Sequence, residues 1–133
     1  IFQIGLRGVG SGREEEMSAA LQYGANLISA YEMHDIGIKA ILQRIPSGGR
    51  FNITVDADGM DHTVMPAVKS PTPSGLTWLQ IREFIHGIVN KGRVLGIDLV
   101  EISPQFEKGN ITFIHAERLL CNFIGAAVRA DYF

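Results

Sequence analysis

The stretch Phe51-Asn52-Ile53-Thr54-Val55-Asp56-Ala57-Asp58-Gly59-Met60-Asp61 passes from an apolar run rich in β-branched residues straight into three acids. Phe51 to Val55 has the composition of a β-strand, and the Asp and Gly residues after it end the strand. Asp56 and Asp58 are two apart, so in extended backbone their carboxylates point the same way. Two like charges held that close repel unless a cation or a proton lies between them. Hard oxygen donors of this kind suit Mg²⁺, Mn²⁺ or Ca²⁺. Acids after strands also cap loops by accepting nearby backbone amides. That reading stands beside the metal reading for Asp56 and Asp58 and is preferred for Asp61.

Working outward, strands and helices alternate. Ile1 to Arg7 is a short apolar run closed by the Gly-rich turn Gly8 to Gly12. A helix over Arg13 to Tyr23 follows, with Ser11 as N-cap and Glu14 at capping-box spacing. Asn26 to Ser29 is a second strand. Ser29 and Glu32 repeat the capping spacing and open a helix that runs to Ile45, before the breaker Pro46-Ser47-Gly48-Gly49. Gly59 to Gly75 holds three prolines and little period. Thr77 and Gln80 open the next helix, which sets Trp78, Ile81, Phe84, Ile85 and Ile88 on one face. Arg93 to Val100 is a nearly continuous apolar strand. Asn110 caps a last helix with the stripe Ala116, Leu119, Leu120, Phe123 and Ala127. Four strands alternating with four helices predict an α/β fold with a mostly parallel, helix-covered sheet.

A chain of 133 residues makes one domain, residues 1–133. With 46% apolar and 20% charged residues it is neither disordered, collagenous nor a disulfide scaffold. Twelve basic residues against 14 acidic ones give a net charge of -2, which offers no general attraction to nucleic acid. Cys121, the single cysteine, fits a reducing compartment, and a cytoplasmic location is expected. Leu119 to Val128, the most apolar tract, is broken by Asn122 and Gly125 and is short of a membrane span. No membrane partner is expected. The chain opens at Ile1 inside a strand without an initiator methionine, so it is expected to be part of a longer protein.

In open α/β sheets ligands bind beyond the carboxyl ends of the strands. A second acidic end, Asp98-Leu99-Val100-Glu101, closes the fourth strand, with Pro104 just after it. An EF-hand is excluded: Gly59 is fourth from Asp56, and Pro66 and Ala67 take the eleventh and twelfth places. Asp-x-Asp-Gly after a strand also suits a phosphatase of the haloacid-dehalogenase type. Against that, Met60 follows, two strand-helix units precede Asp56, and no later Gly-Asp-Gly-x-x-Asp-like segment occurs.

Taken together, Asn52 to Pro104 resembles the C-terminal half of a ureohydrolase, the arginase and agmatinase family. The family reads Asp-x-Asp-x-x-Asp-Pro, an Ala-Pro-Gly-rich loop and Pro-x-x-Gly-Gly-Leu-Thr. Here stand Asp56-Ala57-Asp58-Gly59-Met60-Asp61-His62 and Pro71-Thr72-Pro73-Ser74-Gly75-Leu76-Thr77, with no gap from Asp61 to Thr77. Gly96-Ile97-Asp98-Leu99-Val100-Glu101-Ile102-Ser103-Pro104 resembles the family's later strand end, and Ile4-Gly5-Leu6-Arg7 an earlier strand. Val64-Met65-Pro66-Ala67 is most like the agmatinase-related branch.

The resemblance implies the C-terminal part of a three-layer α/β/α sandwich and two Mn²⁺ ions in the complete enzyme. Asp56 would bridge the ions, Asp58 would bind one, and Glu101 would pair with the guanidinium of a small substrate. Water activated by the ions would attack the guanidinium carbon, releasing urea and an amine. Agmatine is the expected substrate, and trimers or hexamers the expected assembly. His62 replaces the family's Pro, Ala67 and Lys69 replace loop glycines, and Ser74 replaces the first Gly of the Gly-Gly pair. Lys69 is expected to be a solvated loop lysine. His34, His86 and His115 fall on helices as structural or surface residues. The family's Gly-Gly-Asp-His and Asp-Ala-His-x-Asp blocks do not occur here, so the metal ligands are about half present. A non-catalytic interaction module of the same fold is the alternative.

Overall fold

In the computed structural model, which describes residues 1–8 and 12–132, the expected alternation is realised. The elements are β1 (Phe2–Leu6), α1 (Glu14–Gln22), β2 (Asn26–Ser29), α2 (Ala30–Arg44), β3 (Arg50–Asp56), α3 (Trp78–Lys91), β4 (Arg93–Val100) and α4 (Ile111–Arg129). Both strand pairs are parallel. Phe2 lies opposite Asn26 and Ile4 opposite Ile28, with the register shifting across Gly5, whose φ is 88°. Arg50 lies opposite Arg93, and Asp56 opposite Val100.

The expected parallel α/β arrangement forms, and the described residues hold it as two separate two-stranded ladders, β1-β2 and β3-β4. Strands must approach within about 4.8 Å to share backbone hydrogen bonds. Instead β1 and β3 line a cavity of about 520 Å³, walled by Phe2, Ile4, Ile53 and Val55 and closed below by Ile81 and Phe84. On β3 the buried Ile53 and Val55 alternate with the exposed Asn52, Thr54 and Asp56. One face of that strand is therefore covered and the other is open.

The caps largely follow their sequence signals. Ser29 Oγ accepts from the Glu32 amide at 3.1 Å, while the Glu32 carboxylate turns to Arg44 instead, at 2.6 Å. Gly37, at φ 77°, interrupts α2 midway. Thr77 and Gln80 cap α3 reciprocally, and Ile81, Ile85 and Ile88 are buried as the period required. Ser11 lies outside the described residues; Arg13 takes the cap position of α1, its amide donating to Glu16, and α1 buries no residue.

Three readings at the C-terminal side are corrected. Leu120 is exposed, and Thr112 and Ala126 join Leu119 and Ala127 on the buried face of α4. Neither Asn122 nor Gly125 interrupts α4, which is by length and composition alone long and apolar enough to cross a membrane. Asn110 sits at the cap position at φ 61° without a side-chain cap bond. Its work is done by Glu107, whose carboxylate accepts the amides of Lys108, Gly109 and Thr112, each at 3.0 Å.

The stretch Gly59 to Gly75, which has no period, nevertheless contributes side chains to the core. Met60, Val64, Met65, Ala67 and Val68 are all buried there. Buried irregular backbone needs partners for its polar groups. The Ala67 amide donates to the Thr112 hydroxyl at 2.9 Å, and the Ala67 carbonyl accepts the Ser103 amide at 2.8 Å. The Thr112 hydroxyl in turn donates to Glu107, and this bond, with the three amides, lowers the Glu107 pKa from 4.5 to about 2. A carboxylate depressed in the folded state adds stability above its ordinary value, and that stability is lost as pH falls from about 4.5 towards 2. Denaturation curves of wild type and Glu107→Gln should diverge above pH 4.5 and converge near pH 2. Parallel curves over that range would refute the assignment.

Candidate metal and substrate site

β3 and β4 are parallel neighbours, so their carboxyl ends lie side by side. Asp56 is opposite Val100, and Glu101 is the first residue after β4. The register thus sets Asp56 and Glu101 at neighbouring strand ends, with Asp58 in the turn just after β3. Asp56 and Glu101 are exposed and Asp58 is half-buried. Glu101 has a left-handed backbone, φ 61°. A non-glycine residue in that region costs of order 1 kcal/mol, and such strain gathers at sites where a side chain must be aimed. Asp98 is exposed on β4.

The extended arrangement expected for Asp56 and Asp58 is not what forms. Ala57 to Gly59 is one turn of 3₁₀ helix, and the Asp56 Oδ1 accepts the Asp58 amide at 2.8 Å. A short acceptor side chain two residues before an amide folds the chain back in this way. Asp56 therefore caps its own turn, and its second carboxylate oxygen is not used in that bond. Asp58 differs, because its Oδ1 is buried with no hydrogen-bond partner. An orphaned buried carboxylate oxygen is costly unless a cation or donor meets it.

Asp61 fixes the loop, as expected. Its carboxylate accepts the Thr63 hydroxyl at 2.6 Å and the Thr63 amide at 3.0 Å, which lowers its pKa. Two histidines brace the same loop from outside. His34 bonds the Ser74 carbonyl and Gln80, and His115 bonds the Val64 carbonyl while stacking on Trp78 with centroids 5.3 Å apart. His86 meets Arg129 through Nδ1. His62 and Lys69 are exposed. Among the described residues no three His, Cys, Asp or Glu side chains converge as a metal site.

Sequence reasoning missed Arg7. Its guanidinium reaches from the end of β1 to the carbonyls of Asp58, Gly59, Met60, Thr72 and Pro73. Main-chain acceptors leave no mark in a sequence, so only its place after a strand could have drawn attention.

The arginase family model matches residues 1–125. The chain is 28% identical over 130 residues to the N(1)-aminopropylagmatine ureohydrolase of Thermus thermophilus, covering 96% of this chain and 41% of that protein. It is 29% identical over 135 residues to the guanidinopropionase of Pseudomonas aeruginosa, covering 96% and 42%. Among solved structures, the agmatine ureohydrolase of Thermoplasma volcanium superimposes with a TM-score of 0.81 at 31% identity, over 99% of this chain and 43% of that one. The chain thus spans about two fifths of the relatives it matches. By its acidic strand ends, its parallel α/β architecture and the match over nearly its whole length, the chain belongs to the arginase family.

Proposed function

We propose that this chain is the C-terminal part of a ureohydrolase that releases urea from a guanidino compound, agmatine foremost, with the help of Mn²⁺. The observation that carries the reading is the buried, unpartnered Oδ1 of Asp58 beside Asp56 at the end of β3. All-oxygen donors of this kind fit Mn²⁺. Asp56 and Asp58 would hold the ions, which when bound supply Lewis acidity and lower the pKa of water. Glu101, at the adjoining end of β4, would pair with the guanidinium, a planar cation suited to two parallel bonds from a carboxylate. In binding, Glu101 fixes which carbon faces the acids of β3. The same reading has the complete protein acting as a trimer or hexamer in the cytoplasm.

Similarity to enzymes named for agmatine derivatives supports agmatine, and similarity to a guanidinopropionase keeps guanidino acids in the comparison. The test is urea release by the longer protein from agmatine, arginine and guanidino acids with Mn²⁺ present. Turnover of agmatine above the others is expected, and no urea from any of them would end the proposal. The 133-residue chain alone should release no urea and should bind Mn²⁺ weakly, since two carboxylates are too few donors for two ions. Calorimetric titration showing tight binding of two ions would contradict this.

A further inference from the structure

We propose that Arg7 is the positioning residue of this site: it clamps the acid-bearing turn after β3 to the Pro71–Gly75 loop and so fixes where Asp58 sits. The proposal rests on the metal reading of Asp58 above. Arg7 lies at the carboxyl end of β1, in the ladder opposite to the one carrying the acids. Its side chain crosses to the second ladder and meets only carbonyl oxygens. Nη2 donates to Asp58, Met60 and Thr72, the last two at 3.1 and 3.0 Å. Nη1 donates to Gly59 at 3.3 Å and to Gly5 of its own strand at 3.4 Å. Nε donates to Pro73 at 3.1 Å and Thr72 at 3.3 Å.

Among the described residues, no carboxylate forms an ion pair with Arg7; the pairs present are Arg13 with Glu16, Arg44 with Glu32 and Arg118 with Glu117. A half-buried cation whose donors all end on main-chain oxygens acts through geometry. Charge-assisted bonds are the stronger kind, and the planar fork sets several acceptors at fixed angles, which a lysine ammonium cannot do. Apart from Gly5, the acceptors belong to the turn that carries Asp58 and to the Pro71–Gly75 loop. The turn, one turn of 3₁₀ helix, is also held from within by the Asp56 carboxylate and the Met60 amide to the Ala57 carbonyl. Its registration with the Pro71–Gly75 loop comes from Arg7 and from the backbone bonds Asp61 to Leu76 and Leu76 to Gly59.

The experiment uses the 133-residue chain, Arg7→Lys and Asp58→Asn. In Arg7→Lys the amides of Met60, Asp61 and Leu76 should exchange with solvent about tenfold faster or more, while those of Ile85 and Val89 keep their rates. Mn²⁺ binding, followed by the electron paramagnetic resonance signal of the free ion, should weaken by about tenfold, the scale seen when groups supporting metal ligands are removed. In wild type, the Arg7 Nη protons should give separate, slowly exchanging NMR signals, a measurement that needs no variant to fold. Uniform acceleration across β4 and α3, unchanged Mn²⁺ affinity of folded Arg7→Lys, or a freely rotating Arg7 guanidinium would overturn the proposal. If wild type holds no more Mn²⁺ than Asp58→Asn, the metal reading falls, and the exchange pattern and Arg7 signals then decide the clamp by themselves.

Discussion

In the longer protein, Asp58→Asn should lower urea release by about a thousandfold or more while leaving the fold at least as stable. The two effects separate because they have different physical sources. The carboxylate oxygen Oδ1 is buried without a partner, so the folded protein carries the desolvation of a polar atom with nothing in return. A neutral amide of the same size relaxes that cost. On the proposed function, activity moves the other way, because losing an anionic metal donor would remove several kcal/mol of transition-state stabilisation, at about 1.4 kcal/mol per tenfold. Asp56→Asn keeps an oxygen able to accept the Asp58 amide, so the turn survives while the charge is lost. Steady-state assays with saturating Mn²⁺, paired with urea denaturation of each variant, provide the check. Asp58→Asn turning over near the wild-type rate would remove it from the metal site. Activity falling only in step with stability would reduce it to a structural residue.

The division between what the sequence made legible and what it hid follows the range of the forces involved. Element order and the caps at Ser29 and Thr77 depend on residues within one helical turn, and they appeared where the spacing put them. That Asp56 and Glu101 stand at strand ends was also readable, and the register sets those two strands side by side. Asp56 bonding its own turn was open as an alternative, since loop capping and metal binding want the same residue type. Hidden were the features made by contacts distant in sequence. The Gly59–Gly75 segment carries no period, yet Met60, Val64, Met65, Ala67 and Val68 are buried in it, and Thr112 of α4 satisfies the Ala67 amide. Glu107 displaced Asn110 as the cap of α4 because its carboxylate gathers three amides and the Thr112 hydroxyl at once. The split of the strands into two ladders had no local signal at all.

A pair of opposite glycine exchanges should show how tightly the loop beside the acids is held. Ser74 and Gly75 occupy the place where the family has two glycines, and the two positions differ in what they demand. A Cβ on Gly75 would stand 2.3 Å from the Met60 carbonyl carbon and 2.4 Å from the Asp61 nitrogen, both main-chain atoms of the acid-bearing segment. Neither can swing aside as a side chain can, because Asp61 donates to the Leu76 carbonyl at 2.9 Å and Leu76 to the Gly59 carbonyl at 3.0 Å. Gly75→Ala must therefore part these segments, at about 3 kcal/mol by the usual cost of overpacking. For a domain of this size that lowers Tm by about 10 °C. Ser74 instead has φ 64° and is exposed, so only its backbone is strained. Ser74→Gly removes a left-handed penalty of about 1 kcal/mol, offset in part by the added freedom of the unfolded chain. Its Tm should hold or rise slightly. Thermal denaturation of both variants is the measurement. A Gly75→Ala protein melting within a degree of wild type would mean that the close approach to Met60 and Asp61 is not a fixed feature of the folded chain.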